Sequence, residues 1–164
     1  MKDGHYIDED GDEVWVQDGK YHRLDGPAII GKNGSNEWLV RGQYHRIDGP
    51  AVTWINGDEE WWLDGKQHRI DGPAVTRYGD PKDSVIYVEW LKNDLYHRED
   101  GPAITWNNSS NHDGDEYWFN GIRYPDIKND IQLRLEVQRW KRQINKSALK
   151  ESVLLEHKNK KEGV

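Results

Sequence analysis

Residues 67–76 read QHRIDGPAVT, and this string decides the fold because it recurs along the chain. Related strings begin at Tyr21 (YHRLDGPAII), Tyr44 (YHRIDGPAVT) and Tyr96 (YHREDGPAIT). Strings that return at intervals of about 20 to 50 residues indicate repeat proteins, in which each unit stacks on its neighbours. The sequence therefore predicts a tandem array of units built around this string.

A second landmark, an aromatic residue seven positions before each His, gives the phase of the repeat. We call these residues the Trp column: Trp15, Trp38, Trp61, Trp90 and Tyr117. Tyr124 and Pro125 stand where the last unit should have His and Arg, and His5-Tyr6-Ile7 corresponds to Ala51-Val52-Thr53. The array should therefore hold about five units that are degenerate at both ends. We expect the column to align on one face of a sheet, with its rings stacked across strands.

Each unit is predicted to be a β-hairpin followed by a short connector. In the unit that begins at Ala51, the β-branched and aromatic run Ala51–Trp54 indicates a strand, and Glu60–Leu63 indicates the return strand. Asn56-Gly57 predicts a type I′ turn between them, and Asp64-Gly65 predicts a second tight turn. Repetition of this unit predicts one elongated antiparallel sheet, over a repeat domain spanning residues 1–125.

Residues 126–164 are predicted to form a separate helical tail. Apolar residues recur there at steps of four, three, four and four, at Leu133, Val137, Trp140, Ile144 and Ala148. This spacing is typical of an amphipathic α-helix. The fold class expected from the whole sequence is therefore mainly β, a tandem hairpin sheet followed by a C-terminal amphipathic helix.

Composition narrows the possible functions. The chain has no Cys, so a disulfide framework, a thiolate metal site and a Cys nucleophile are excluded. Residues 1–124 carry 13 Lys and Arg against 24 Asp and Glu, a balance of −11, while residues 125–164 have a balance of +4. An acidic array is a poor partner for duplex DNA. The N-terminus is polar and no apolar run is long enough for a membrane span, so a cytoplasmic protein is expected.

The His-Arg pairs of the repeat are the first candidate site. We call them the His–Arg ladder: His22, Arg23, His45, Arg46, His68, Arg69, His97 and Arg98. Equivalent atoms should lie about 10 Å apart, too far for one metal ion. Four similar copies without a recurring nucleophile also argue against catalysis. No metal, cofactor or catalytic residue is therefore predicted, which leaves a structural role or binding of an anionic, nucleotide-like ligand.

Tryptophans outside the column are the second candidate site. The off-column tryptophans are Trp54, Trp62, Trp106 and Trp118. They either contact a partner or complete the core. Two insertions break the regular repeat, Gly79–Ser84 and Asn107–Gly114. Insertions in a repeat array fall on one face of it, and this face often binds the partner. The predicted protein-contact surface therefore combines these tryptophans with Asp80, Lys82, Asn108 and Asn111 of the insertions.

The string HR-x-DGPA, preceded in the units of Trp15 and Trp61 by W-x-x-[DN]-G, resembles a tandem-repeat family of tailed bacteriophages and giant viruses. It is similar, more distantly, to MORN-type repeats and to antitoxin-like hairpin repeat proteins. The resemblance covers about residues 5–125 and implies a β-hairpin array. MORN units place a Gly soon after the His, where Arg stands here, so the lipid binding ascribed to some MORN repeats is not expected.

The function expected from the sequence is therefore non-catalytic binding. The leading hypothesis is a viral protein that engages or inhibits a host protein, such as a defence factor, in the host cytoplasm. One alternative is a sponge that sequesters a nucleotide-like signalling molecule on the His–Arg ladder. Another is an acidic decoy that mimics nucleic acid. A homodimer through a sheet edge or the tail helix is also compatible with the sequence.

Overall fold

A computed structural model describes residues 1–79, 85–106, 114–124, 131, 134–139 and 142. Two compact units divide the chain. The first comprises Met1–Arg98 and Pro102–Pro125, and the second comprises Glu99–Gly101 and Asp126–Val164. The first of these compact units contains the repeat hairpins.

Short strands follow one another along the first unit. They are β1 (Gly4–Ile7), β2 (Glu13–Gln17), β3 (Lys20–Tyr21), β4 (Ile29–Ile30), β5 (Asn36–Glu37), β6 (Leu39–Val40), β7 (Gln43–Tyr44), β8 (Val52–Thr53), β9 (Glu59–Glu60), β10 (Trp62–Leu63), β11 (Lys66–Gln67), β12 (Val75–Tyr78), β13 (Val85–Glu89), β14 (Leu91–Lys92), β15 (Leu95–Tyr96), β16 (Ile104–Trp106), β17 (Trp118–Phe119) and β18 (Ile122–Arg123).

The largest sheet follows the order of the repeat. Its antiparallel strands lie in the order β1-β2-β4-β5-β8-β9-β12-β13-β16, and β3 pairs with β2. Each interior unit thus adds two strands, which confirms the predicted array of hairpins. The opening half unit is also in phase, because Tyr6 pairs with Val14 as Val52 pairs with Glu60.

The return strand of each interior unit is divided at the column residue, which the sequence did not predict. Glu59–Glu60 belong to the large sheet, whereas Trp62–Leu63 pair only with Lys66–Gln67 in a two-stranded sheet. Between them, the Trp61 N–H donates to the Ala74 carbonyl of the next unit (2.7 Å). The Trp61 carbonyl accepts from the His68 N–H of its own unit (3.0 Å). Because its backbone serves two different partners, the strand changes sheets at this residue.

Tight turns of one type close the small hairpins. Asp64 and Gly65 have φ values of 50° and 74°, so both central residues are left-handed, as the predicted type I′ turn requires. The prediction for Asn56-Gly57 is wrong, because only Gly57 has a positive φ (94°). The Gly57 N–H donates to the Trp54 carbonyl, and the Trp54 N–H donates to the Asp58 carbonyl. Three residues therefore form this loop, with Gly in the left-handed position that a longer hairpin loop uses.

Apolar residues and glutamates alternate along one row of the large sheet. Val52 pairs with both Glu37 and Glu60, and Val75 pairs with both Glu60 and Glu89. Directly paired residues share a face, so the two buried valines lie between partly exposed carboxylates. The four repeat alanines, at positions 28, 51, 74 and 103, are fully buried and have room for no larger side chain without repacking.

In the second unit, the described helical residues are 131, 134–139 and 142, which confirms a helix near the C-terminus. Val137 is buried, whereas Ile131 and Leu135 are exposed. The other members of the predicted stripe lie outside the described residues. None of the helical residues that the structure describes belongs to a helix long and apolar enough to cross a membrane.

Candidate binding surface

The arginine of the repeat is held from four directions, as Arg69 shows. Its guanidinium carbon lies 3.8 Å from the centre of the Trp61 ring. Its Nε donates to Asp71 Oδ1 (3.0 Å), and Nη1 donates to the Pro73 carbonyl (3.4 Å). A Cβ added at Gly72 would lie 2.6 Å from the guanidinium carbon, so only Gly leaves room for it. The sequence R-x-D-G-P thus encodes a single packing arrangement.

The other units repeat this arrangement. Arg23, Arg46 and Arg98 lie 3.8, 4.0 and 4.2 Å from the centres of Trp15, Trp38 and Trp90. The four tryptophans of the Trp column therefore each pair with an arginine of their own unit, where the sequence suggested stacking of ring on ring. Cation–π packing is favoured here because the arginine that covers the ring also donates hydrogen bonds to the connector that follows it, as Arg69 does.

Each histidine of the repeat reaches the type I′ turn of the next unit. Nδ1 of His22 accepts from the Arg41 N–H (3.1 Å), whereas Nδ1 of His45 lies 2.8 Å from Asp64 Oδ1 and 3.2 Å from the Asp64 N–H. In the first repeat unit, which no repeat His precedes, Asp3 accepts from the corresponding turn. The His therefore ties neighbouring units together by contacting the first residue of a left-handed turn.

These contacts give the His–Arg ladder a structural role. Nε and Nη1 of Arg69 already have acceptors within the repeat, and its guanidinium face lies against Trp61. A phosphate or carboxylate ligand binds arginine best through two parallel N–H groups. Capture of such a ligand by the His–Arg ladder would compete with the hydrogen bonds that hold the repeat unit together. The nucleotide sponge therefore remains a prediction.

Glutamates of the large sheet accept hydrogen bonds from aromatic side chains of the small hairpins. Tyr44 Oη donates to Glu37 (2.8 Å), and Tyr96 Oη donates to Glu89 (2.9 Å). The indole N–H groups of Trp62 and Trp118 donate to Glu60 and Glu116 (2.9 and 2.7 Å). These bonds allow a partly buried carboxylate to sit among apolar residues.

Alkaline pH should weaken this network. Burial, followed by the hydrogen bond to Glu89, raises the pKa of Tyr96 to about 12 from its ordinary value of 10.0. Between these values the unfolded chain loses the phenolic proton and the folded chain keeps it, so stability should fall as the pH rises through this window. Urea unfolding of wild type and Tyr96→Phe at pH 9 to 11.5 measures this. Equal pH slopes in the two proteins would contradict the assignment.

The off-column tryptophans divide into two groups. Trp62 and Trp118 directly follow a column residue, the place held by the buried Leu39 and Leu91 in other units. Their rings pack against Tyr44 and Tyr96 of the preceding hairpins, at 5.3 Å between ring centres in each pair. These two tryptophans thus belong to the scaffold.

Trp54 directly follows β8 of the large sheet, and Trp106 is the last residue of β16. They belong to a group that we call the Trp–Arg–Tyr–Trp row: Trp54, Arg77, Tyr87 and Trp106. The Arg77 guanidinium carbon lies 4.9 Å from the centre of the Trp54 ring. Arg77 pairs with Tyr87, and Tyr87 pairs with Trp106, across adjacent strands. The ring centres of Tyr87 and Trp106 are 4.1 Å apart.

Hydrogen bonds fix the polar atoms of this row. Arg77 Nη2 forms an ion pair with Glu60, and Tyr87 Oη donates to Glu89. Burial, followed by this hydrogen bond, raises the pKa of Tyr87. Trp106 nevertheless keeps 43% of its surface exposed. The row is therefore a preorganised aromatic surface with a cation at its centre. The sequence found both tryptophans, but it did not indicate that Arg77 and Tyr87 join them.

The remaining predicted contact residues, Asp80, Lys82, Asn108 and Asn111, lie outside the described residues. Among the residues that the structure does describe, no three His, Asp or Glu side chains are grouped as a metal site would require. A scan against protein-family models found no match for the chain, and a search of curated proteins found none.

Proposed function

We propose that this chain is a non-catalytic binding module that engages another protein through the Trp–Arg–Tyr–Trp row. The observation that carries the proposal is the row itself, which places two Trp, one Tyr and one Arg side by side on adjacent hairpins. Trp, Tyr and Arg are the residues most enriched among those that dominate the energy of protein interfaces. An array that holds them in place beforehand lowers the entropic cost of binding.

The surroundings of the row support a protein partner. Ile55, which directly follows Trp54, and Ile86, which precedes Tyr87, are both exposed. The insertion Gly79–Ser84 joins β12 to β13, and the insertion Asn107–Gly114 follows β16. In the chain, both insertions therefore begin next to strands that carry members of the row. Length variation at this end of the units leaves the repeat contacts unchanged, as expected where a scaffold presents variable binding segments.

The partner that we propose is a host protein, and the chain would act on it in the host cytoplasm as a viral inhibitor. The resemblance of the repeat to phage and giant-virus proteins supports this choice. The acidic decoy is a competing possibility that salt distinguishes. A decoy should lose its partner steeply as ionic strength rises, whereas an aromatic-centred interface should not.

The test is capture of a partner from host lysate by the tagged full chain, with matched variants. Trp106→Ala combined with Arg77→Ala should weaken capture by at least about 30-fold, the loss expected from a single hot-spot residue that contributes about 2 kcal/mol. Ile122→Ala, an exposed position on the last hairpin, should leave capture unchanged.

Equal capture of the same protein by the Trp106 and Arg77 double variant would contradict the proposed surface. Undiminished capture after both insertions are replaced by short Asn-Gly turns would exclude the insertions from the contact and leave the row as the contact surface. Purification of the chain with a bound nucleotide and no protein would instead favour the sponge.

A further inference from the structure

The residue between Arg and Asp in the repeat points away from the protein. Leu24, Ile47 and Ile70 occupy this position in the first three units and have 81%, 81% and 80% of their surface exposed. We call them the apolar row. Their neighbours on both sides are engaged, since each adjacent Arg and Asp form an ion pair. Three equivalent large apolar side chains held outward by equivalent contacts form a regular surface and not a scatter of single exposed residues.

A groove separates two members of this row. Ile47 and Ile70 both line a cavity of about 230 Å³, together with Trp61, Leu63, His68 and Arg69. This volume accommodates one large apolar side chain. The floor is rigid, because Arg69 is held by Trp61 and by the hydrogen bonds of its connector. The cavity lined by Ile47 and Ile70 thus resembles the gap that receives an apolar side chain when helices pack.

Exposed carboxylates accompany the row. Asp25, Asp48 and Asp71 follow its three members and are at least 81% exposed at their side chains. The hydrogen bond from the preceding arginine lowers the pKa of each of these carboxyl groups, so all three are ionised at neutral pH. The repeat region as a whole is also acidic, with a balance of −11 over residues 1–124. Charge complementarity therefore selects a basic ligand.

The spacing of the row selects the shape of that ligand. Each unit adds two strands to the large sheet, so equivalent residues are about 10 Å apart. An α-helix rises about 10.5 Å over seven residues, which places heptad positions in step with the row. An extended strand repeats on one face about every 7 Å and falls out of step.

We propose that the apolar row binds a basic amphipathic α-helix of a partner protein. Its heptad-spaced apolar residues would enter the gaps between Leu24, Ile47 and Ile70, and its flanking Lys and Arg would meet Asp25, Asp48 and Asp71. This surface shares no residue with the Trp–Arg–Tyr–Trp row. The two proposals therefore stand or fall separately.

The full chain is titrated with a synthetic peptide of three heptads that carries Leu at positions a and d and Lys on the flanks. Isothermal titration at low salt should show saturable binding with one peptide per chain. A scrambled peptide of the same composition, and a peptide with Glu in place of Lys, should each bind at least about tenfold more weakly. Higher ionic strength should weaken the Lys peptide.

Protein variants separate specific docking from attraction between a basic peptide and an acidic protein. Leu24→Ser, Ile47→Ser and Ile70→Ser combined should weaken the Lys peptide at least about tenfold. The melting temperature should stay the same, because these side chains make few contacts. Ile122→Ser is the control for loss of one exposed apolar residue. Equal binding of the scrambled peptide, or undiminished binding to the triple variant, would overturn the proposal. Equal binding of the Glu peptide would remove the selection for a basic partner and overturn it too.

Discussion

Replacing Arg69 by Lys is expected to lower the free energy of unfolding by about 2–3 kcal/mol, although the charge is kept. Lysine has a compact ammonium group and cannot cover the Trp61 ring while also reaching both Asp71 and the Pro73 carbonyl, as the guanidinium does. The partly buried Pro73 carbonyl and one face of the Trp61 indole would lose their partner. Because the unit lies inside the array, its neighbours on both sides lose support.

The matched control for this substitution is Arg123→Lys. Arg123 is more than half exposed and pairs with Glu116 at 3.2 Å on the last hairpin, and exposed pairs of this kind contribute about 0–1 kcal/mol. Urea unfolding followed by Trp fluorescence compares the two variants. If Arg69→Lys were as stable as Arg123→Lys, the ladder would have no structural role. Its arginines would then be available for the ligand-binding alternative.

Leu91→Ala should cost about 2–5 kcal/mol, the range for truncation of a buried Leu. Leu91 is 5% exposed and packs with Ala74, Val75, Trp61 and Tyr96. The substitution leaves a cavity where the small hairpin β14–β15 packs against the large sheet. Val75 opens β12 and Ala74 directly precedes it, and the pairing of this strand on both sides keeps it from collapsing into the gap.

Leu95→Ala on the same small hairpin is the control, because Leu95 is about half exposed. It should cost less than about 1 kcal/mol. Thermal and urea unfolding of both variants measure the difference. A similar loss for the two would mean that the hairpin does not pack as described. A broadened transition for Leu91→Ala alone would indicate that neighbouring units have become uncoupled.

Much of the scaffold could be predicted because its signals are local. Alternation of apolar and polar residues, Gly and Asp at turn positions and the fixed distance from Trp61 to His68 all act within one unit. They suffice for hairpins, for the phase of the array and for the degenerate ends. The loop at Asn56-Gly57 escaped prediction, because the same two residues serve different turns according to how the flanking strands pair.

The sequence by itself determined the units of this protein, and tertiary structure decided which residues form its surfaces. Arg77, Tyr87 and Trp106 come from three strands that pair across the sheet, and Trp54, which follows β8, joins them through the Arg77 guanidinium. Ile47 is apolar and would be assigned to a core by composition. It faces outward because the arginine beside it occupies the space between an indole ring and a glycine. Local preferences select a conformation for each unit, but the exposure of a side chain depends on neighbours distant in the chain.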